Sequence, residues 1–198
     1  MYRELMFSPL KPAKGDAYVG GGVYLPPDVR WPTSDNGEPL VHLMSLPGWW
    51  FGENIKGNDF SVSIFIPYVS GQVSHYRRLR ERGGCSEAVV IGHPTGEFLR
   101  SESANEIKDV GRVEISLIDA IDDSENLASK IDGVDAWLQC PIAMRGMHRR
   151  ISIYGGDLDL ALPKYEGILA DGMGYLFIDD DAIEGRREKI GHFFLQLG

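Results

Sequence analysis

The chain has 198 residues, of which 43% are hydrophobic and 25% charged, and a formal net charge of −9. That length holds one large domain or two small ones and a sizeable core. The acidic balance argues against a general nucleic-acid binder, which needs Lys and Arg for phosphates, and favours a basic partner; no apolar run approaches the roughly 20 residues of a membrane helix.

In chain order, the N-terminal MYRELMFSPLKPAKGD lacks the apolar run and cleavage site of a signal peptide, so a cytoplasmic chain is expected. GDAYVGGG (15–22) spaces Gly15 and Gly20 as a phosphate loop does, but the lysine and hydroxyl that follow in such a loop are missing. Pro26 and Pro27 also bar the helix whose N-terminus would hold the anion. Gly20, Gly21 and Gly22 therefore read as a backbone device, with positive φ or a close approach of another strand. Up to about residue 60 the chain reads as turns and loops: KPAKGD, LPPD, WPTSDNGEP and LPGWW. In PGWWFGEN (47–54) three consecutive aromatics cannot all point inward, because side chains alternate along an extended segment. Trp49 and Trp50 are thus candidate partner-binding anchors, or a lid on the core.

SVSIFIPY (61–68) alternates serines with aliphatic residues and is the clearest strand. Further strands are expected at 87–93, 112–118, 149–155, 174–179 and 192–197, all short, β-branched or aromatic, and bounded by Gly, Pro or Asp. SHYRRLRERGG (74–84) and DDSENLASKIDG (122–133) carry helix signals, the second with an Asp/Ser cap and a closing Gly133. Arg77, Arg78, Arg80 and Arg82 suit an acidic partner or pair with surplus carboxylates. No repeat of 20 to 50 residues is visible.

Chemistry-bearing patterns are sparse. His42, His75, His93, His148 and His192 are scattered and form no H-E-x-x-H, and no G-x-S-x-G elbow is present. Cys85 and Cys140 form no C-x-x-C and read as reduced thiols. Asp157 and Asp159 in GGDLDL, and Asp179, Asp180 and Asp181 after a strand, lack the ligand spacing of a calcium loop. They are candidates for an acidic contact surface, because loops at strand ends concentrate binding residues. No catalytic residue, metal or cofactor is assigned.

Residues 20–46 carry Gly21-Gly22, Leu25-Pro26, Trp31-Pro32 and Gly37-Glu38-Pro39-Leu40 ahead of an apolar strand. This order resembles the opening signature of the YwqG-like family of bacterial proteins. KIDGVDAWLQC (130–140) resembles the family's second, degenerate glycine and Trp-x-Gln element, and GILADGMGYLFIDDDAI with HFFLQ its closing strands. The chain departs at Leu43-Met44-Ser45-Leu46, where the family has Gln-Ile, and at Asp132-Gly133, where two glycines are commoner. Some relatives look like immunity partners of bacterial toxins.

The expectation is a single α+β domain over residues 1–198, sheet-rich, with many short, mostly antiparallel strands and one or two short helices. The resemblance implies a non-enzymatic module that binds a protein toxin or effector with a basic contact surface, without nucleic acid or membrane. The alternative is a small-molecule binder or hydrolase with its site among the glycine-rich loops near Trp31 and Trp137.

Overall fold

The protein is described here by a computed structural model covering residues 2–52, 59–83, 85–118, 121–184 and 188–198. Among the described residues the strands are β1 (Tyr2–Ser8), β2 (Ala17–Gly20), β3 (Val41–Pro47), β4 (Phe60–Ile66), β5 (Val89–Pro94), β6 (Val110–Ile118), β7 (Lys130–Ile131), β8 (His148–Tyr154), β9 (Met173–Ile178) and β10 (Lys189–Gln196). Between them lie a 3₁₀ turn at Gly48–Trp50 and three short helices, α1 (His75–Leu79), α2 (Gly155–Ala161) and α3 (Asp180–Glu184).

All ten strands form one closed antiparallel barrel in the order β1-β6-β2-β3-β4-β5-β10-β9-β8-β7, with β7 returning to β1. This corrects the expected α+β class. The helices are too short to make a layer, and the sheet closes through long-range pairs such as β1·β6 and β5·β10. Local periodicity carries no trace of such pairs. Closure also removes the exposed strand edges that an open sheet must protect.

Two expected helices shrink or vanish. Of residues 74–84, the described ones give only α1, and 122–133 give turns followed by β7. The Asp123 carboxylate does accept N–H bonds from Glu125 and Asn126, as a cap does. The chain then leaves the helix path because β7 pairs with both β1 and β8. The first third, expected as loops, supplies β1, β2 and β3.

The pairing diagram maps onto itself when β1–β5 are exchanged for β6–β10. The contacts β1·β7, β2·β3, β3·β4 and β4·β5 become β6·β2, β7·β8, β8·β9 and β9·β10, all of which exist. The irregularities match too. A bulge interrupts β3·β4 between His42 and Met44, and another interrupts β8·β9 between Arg149 and Ile151. Gly20 and Gly21 have φ of 72° and 63° at the end of β2, and Asp132 and Gly133 have 59° and 74° just past β7. The barrel is thus two copies of one five-strand pattern, at a period longer than the 20 to 50 residues of common sequence repeats.

Side chains alternate across the wall, so each strand feeds an inner and an outer layer. The inner layer takes Val19, Leu43, Val62, Ile64, Ile151, Ile153, Leu176 and Phe193 into one apolar core. Each mouth is closed by the segment that follows the bulged strand. Trp50 and Phe51 follow β3, Leu158 and Ala161 follow β8, and all four belong to the same core. Outside the wall, residues 21–40 cover β3–β5 with Trp31 packed edge-on to Phe65, at 5.1 Å between ring centroids. On the other half Trp137 stacks on Tyr175 at 4.8 Å.

Candidate functional site

Because neighbouring strands alternate in direction, β3, β7 and β9 end at one mouth of the barrel, where β1 and β8 begin. The 3₁₀ turn lies across this mouth. Arg3 of β1 donates to the Trp50 carbonyl at 3.4 Å, and Arg150 of β8 donates to the Phe51 carbonyl at 2.9 Å. Both arginines also meet the Asp132 carboxylate, Arg3 through a direct ion pair and Arg150 at 3.6 Å. Two cations from the far wall therefore hold the backbone where the turn ends. Trp50 is 4% exposed and belongs to the core, which withdraws it from the expected binding pair. Trp49 is 49% exposed, with its ring edge-on to Trp50 at 6.1 Å. The result is a large aromatic side chain fixed outward on a pinned backbone.

The acidic candidates divide between the two mouths. Asp179, Asp180 and Asp181 follow β9 and share the mouth with Trp49, on a different side of the wall. Asp179 caps α3, accepting the Ala182 N–H at 3.1 Å. Asp157 and Asp159 lie in α2, which follows β8 at the opposite mouth. Asp157 accepts the Ser129 hydroxyl at 2.7 Å, and Asp159 accepts the Gly167 N–H at 3.0 Å. Burial first, then the nearby Glu166 and Asp171, raise the Asp159 carboxyl above its ordinary range. Asp157 is thereby tied to the segment that enters β7, and Asp159 to the loop that follows α2.

The outer wall of β3–β5 carries residues that sequence reasoning weighed only one at a time. The bulge in β3 turns both His42 and Ser45 to the outer face, although an odd spacing separates them. There they meet Ser63 of β4 and His93 of β5 in one buried chain. His42 Nε2 lies 2.8 Å from Ser45 Oγ, Ser45 Oγ 2.7 Å from Ser63 Oγ, and Ser63 Oγ 2.8 Å from His93 Nε2. The serine alternation in SVSIFIPY was the available signal. Ser45 and His93 line a crevice of about 10 Å³ with Asp16, Tyr18, Tyr24 and Thr95, which is room for about one water molecule. Burial lowers the His42 imidazole to about 4 and raises the Tyr18 phenol to about 12.

A broad depression of about 810 Å³ lies at the mouth opposite Trp49, lined by Arg80, Gln139, Cys140 and Gln196 among others. Gln196 accepts the Gln139 N–H and donates to the Cys140 carbonyl, both at 2.9 Å. The two glutamine-bearing elements singled out in the sequence therefore meet here. Trp31 borders a smaller hollow of about 210 Å³. Among the described residues no three His, Cys, Asp or Glu side chains gather as a metal site would require. Nor is any helix there long and apolar enough to cross a membrane. Comparison with models of known protein families, and with curated proteins, gives no match.

Proposed function

We propose that the chain is a non-enzymatic binding module that occludes a protein toxin or effector. The observation that carries this reading is Trp49, half-exposed on a backbone pinned from across the mouth by Arg3 and Arg150. A fixed aromatic loses little conformational freedom on binding, and tryptophan dominates the energetics of protein interfaces. The net charge of −9 favours a basic partner, which Asp179 to Asp181 would meet at the same mouth. The likeness of the Gly-Gly, Leu-Pro and Trp-Pro order to the YwqG-like family, some of whose members look like immunity proteins, supports the choice of a toxin. When products of adjacent genes are co-expressed with the chain, a cognate toxin is expected to be identified by restored growth and by a complex on size exclusion. Trp49→Ala is expected to weaken both. Protection by the unmodified chain without any complex would overturn the reading.

The depression around Cys140 favours a second reading, a small-molecule site, because its volume lies in the range of ligand pockets. Under that reading a metabolite raises the melting temperature by mass action, and Gln139→Ala removes the shift.

A further inference from the structure

The buried chain from His42 to His93 has one hydrogen-bond contact more than it has protons. At one end His42 Nδ1 faces the carbonyls of Gly20 and Gly21, at 3.1 and 3.2 Å. At the other, His93 Nδ1 faces the Pro94 carbonyl at 2.7 Å. A carbonyl only accepts, so both Nδ1 atoms carry hydrogen, and in neutral rings both Nε2 atoms are acceptors. Ser45 and Ser63 must then donate to His42 and His93, their Nε2 neighbours. Each hydroxyl has one hydrogen, so the Ser45–Ser63 contact at 2.7 Å is left without any. Turning one hydroxyl towards the other only moves the deficit to a histidine. Four hydrogens serve five contacts.

We propose that the His42–Ser45–Ser63–His93 chain is a binding site for a single proton, shared by the two imidazoles through the two serine hydroxyls. With one proton added, His42 Nε2–H donates to Ser45, Ser45 to Ser63, and Ser63 to His93 Nε2. All five contacts are then filled. The charge moves to His93 by three short transfers. Nε2–H of His42 breaks as a bond to Ser45 Oγ forms, Ser45 passes its own hydrogen to Ser63, and Ser63 passes its own to His93 Nε2. The proton enters from water at the crevice that His93 and Ser45 line. When the charge rests on His42 it strengthens that ring's bonds to Gly20 and Gly21, where the covering segment 21–40 leaves the wall.

Few groups compete for this proton. Tyr18 of β2 and Phe65 of β4 present rings to His42, the Tyr18 phenol also reaches Ser45 while its own hydrogen goes to the Gly22 carbonyl, and Asp16, Tyr24, Ser61 and Thr95 border the crevice beside His93. The one carboxylate among them, Asp16, is engaged by the Ala13 N–H and by Arg112. Burial lowers both imidazoles, so uptake falls on the acid side of the ordinary histidine value of about 6.5. Charge on one ring opposes charge on the other, as His93 does at His42, which limits the chain to one proton.

The other half of the barrel supports the assignment. Matching strand partners places Arg149 at the position of His42, Ser152 at Ser45, Tyr175 at Ser63 and Gln196 at His93. Arg149 Nη2 donates to the carbonyls of Asp132 and Gly133, at 2.7 and 3.2 Å, as His42 does to those of Gly20 and Gly21. That half does the same work with a guanidinium and an amide, and only the first half has imidazoles in the row.

Long-range proton–nitrogen spectra of the histidine rings, recorded from neutral pH into acid, test the proposal. At neutral pH both His42 and His93 are expected as the Nδ1–H tautomer. On acidification both Nε2 signals are expected to move at one shared midpoint, with amplitudes that add up to one proton. In His93→Gln the amide supplies the missing hydrogen, so His42 is expected to stay neutral until the protein unfolds. In Ser63→Ala the chain is cut, and the two rings are expected to titrate apart. An Nε2–H tautomer at neutral pH, a total of two protons, no uptake before unfolding, or unchanged His42 titration in either variant would overturn the proposal.

Discussion

The two halves of the barrel repeat one strand pattern yet finish their outer walls with different chemistry. On β3–β5 the row His42, Ser45, Ser63 and His93 is polar under the 21–40 cover. On β8–β10 the matching row is Arg149, Ser152, Tyr175 and Gln196, with Trp137, Phe177 and Phe194 stacked beside it. Both rows meet the same physical demand, which is to satisfy the carbonyls of two consecutive positive-φ residues at the end of β2 or β7. A neutral imidazole does it in one half and a guanidinium in the other. The geometry is set by the repeated bulge, and the charge state is free to differ.

The sharpest way to break the comparison is at those positive-φ residues. A Cβ on Gly20 would sit 2.2 Å from the Asp109 carbonyl oxygen, on a backbone with φ of +72°. Gly20→Ala is therefore expected to cost more than about 3 kcal/mol, enough to unfold much of the population at 37 °C. Asp132, its counterpart, already bears a Cβ at φ 59°, and its carboxylate is 41% exposed. Asp132→Gly is expected to cost no more than about 1 kcal/mol, since exposed ion pairs contribute little. Urea unfolding of the two variants measures the contrast. Equal losses would show that the two turns carry the same constraint.

The next largest effect separates Tyr18 from its counterpart Lys130. Lys130 and Asp122 form an ion pair at 2.7 Å, with side chains 1% and 3% exposed. Burial pushes the Asp122 carboxyl up, but Lys130, the Val134 N–H and Asn126 outweigh it and hold the group below its ordinary range. Lys130→Met leaves that charge buried and is expected to cost about 3–5 kcal/mol, with Asp122→Asn restoring much of it in the double variant. Tyr18→Phe removes one hydrogen bond to the Gly22 carbonyl, worth about 1 kcal/mol.

How much of this was legible in the sequence follows from the same contrast. β4 showed itself through the alternation of Ser61, Ser63 and Phe65 with Val62, Ile64 and Ile66, because its two faces differ. β3 was legible only through the family likeness, since its bulge breaks the period of two between His42 and Met44. β7 is two residues long and has no period to read. Gly20 and Gly21 announced a backbone device, and both have positive φ. Barrel closure and the duplication live in pairings across the chain, such as Met6 with Glu114, which no local window contains. For the candidate site, Trp49 was legible as one of an aromatic run. Which of the pair faces out depended on Arg3 and Arg150, distant in sequence from both.

Acid sharpens the difference between the rows. His42 lies at about 4 in the fold and near 6.5 in the unfolded chain, so between these values the unfolded chain binds the extra proton. Its contribution is present in full above about pH 6.5 and is lost as pH falls towards 4, at up to about 1.4 kcal/mol per pH unit. Burial also lowers His75, His93 and His192, which adds to the loss in the same direction. His42→Gln is expected to flatten the profile of stability against pH, and Arg149→Gln to lower it without changing its slope. A slope unaffected by His42→Gln would remove the titratable row as the distinguishing feature.

The smallest effect on stability is expected where the proposed effect on binding is largest. Trp49→Ala removes a half-exposed ring and leaves the backbone bonds from Arg3 and Arg150 in place, so stability should change by no more than about 0.5 kcal/mol. Trp50→Ala opens the core at the mouth and should cost about 3–5 kcal/mol. If Trp49 anchors a partner, its loss should weaken the complex by about 2 kcal/mol or more, roughly 30-fold in Kd, with the melting temperature unchanged. Leu160, 62% exposed on α2 at the opposite mouth, is the matched control, and Leu160→Ala should alter neither quantity. Loss of binding from Leu160→Ala with Trp49→Ala silent would move the contact surface to the other mouth, where Asp157 and Asp159 lie.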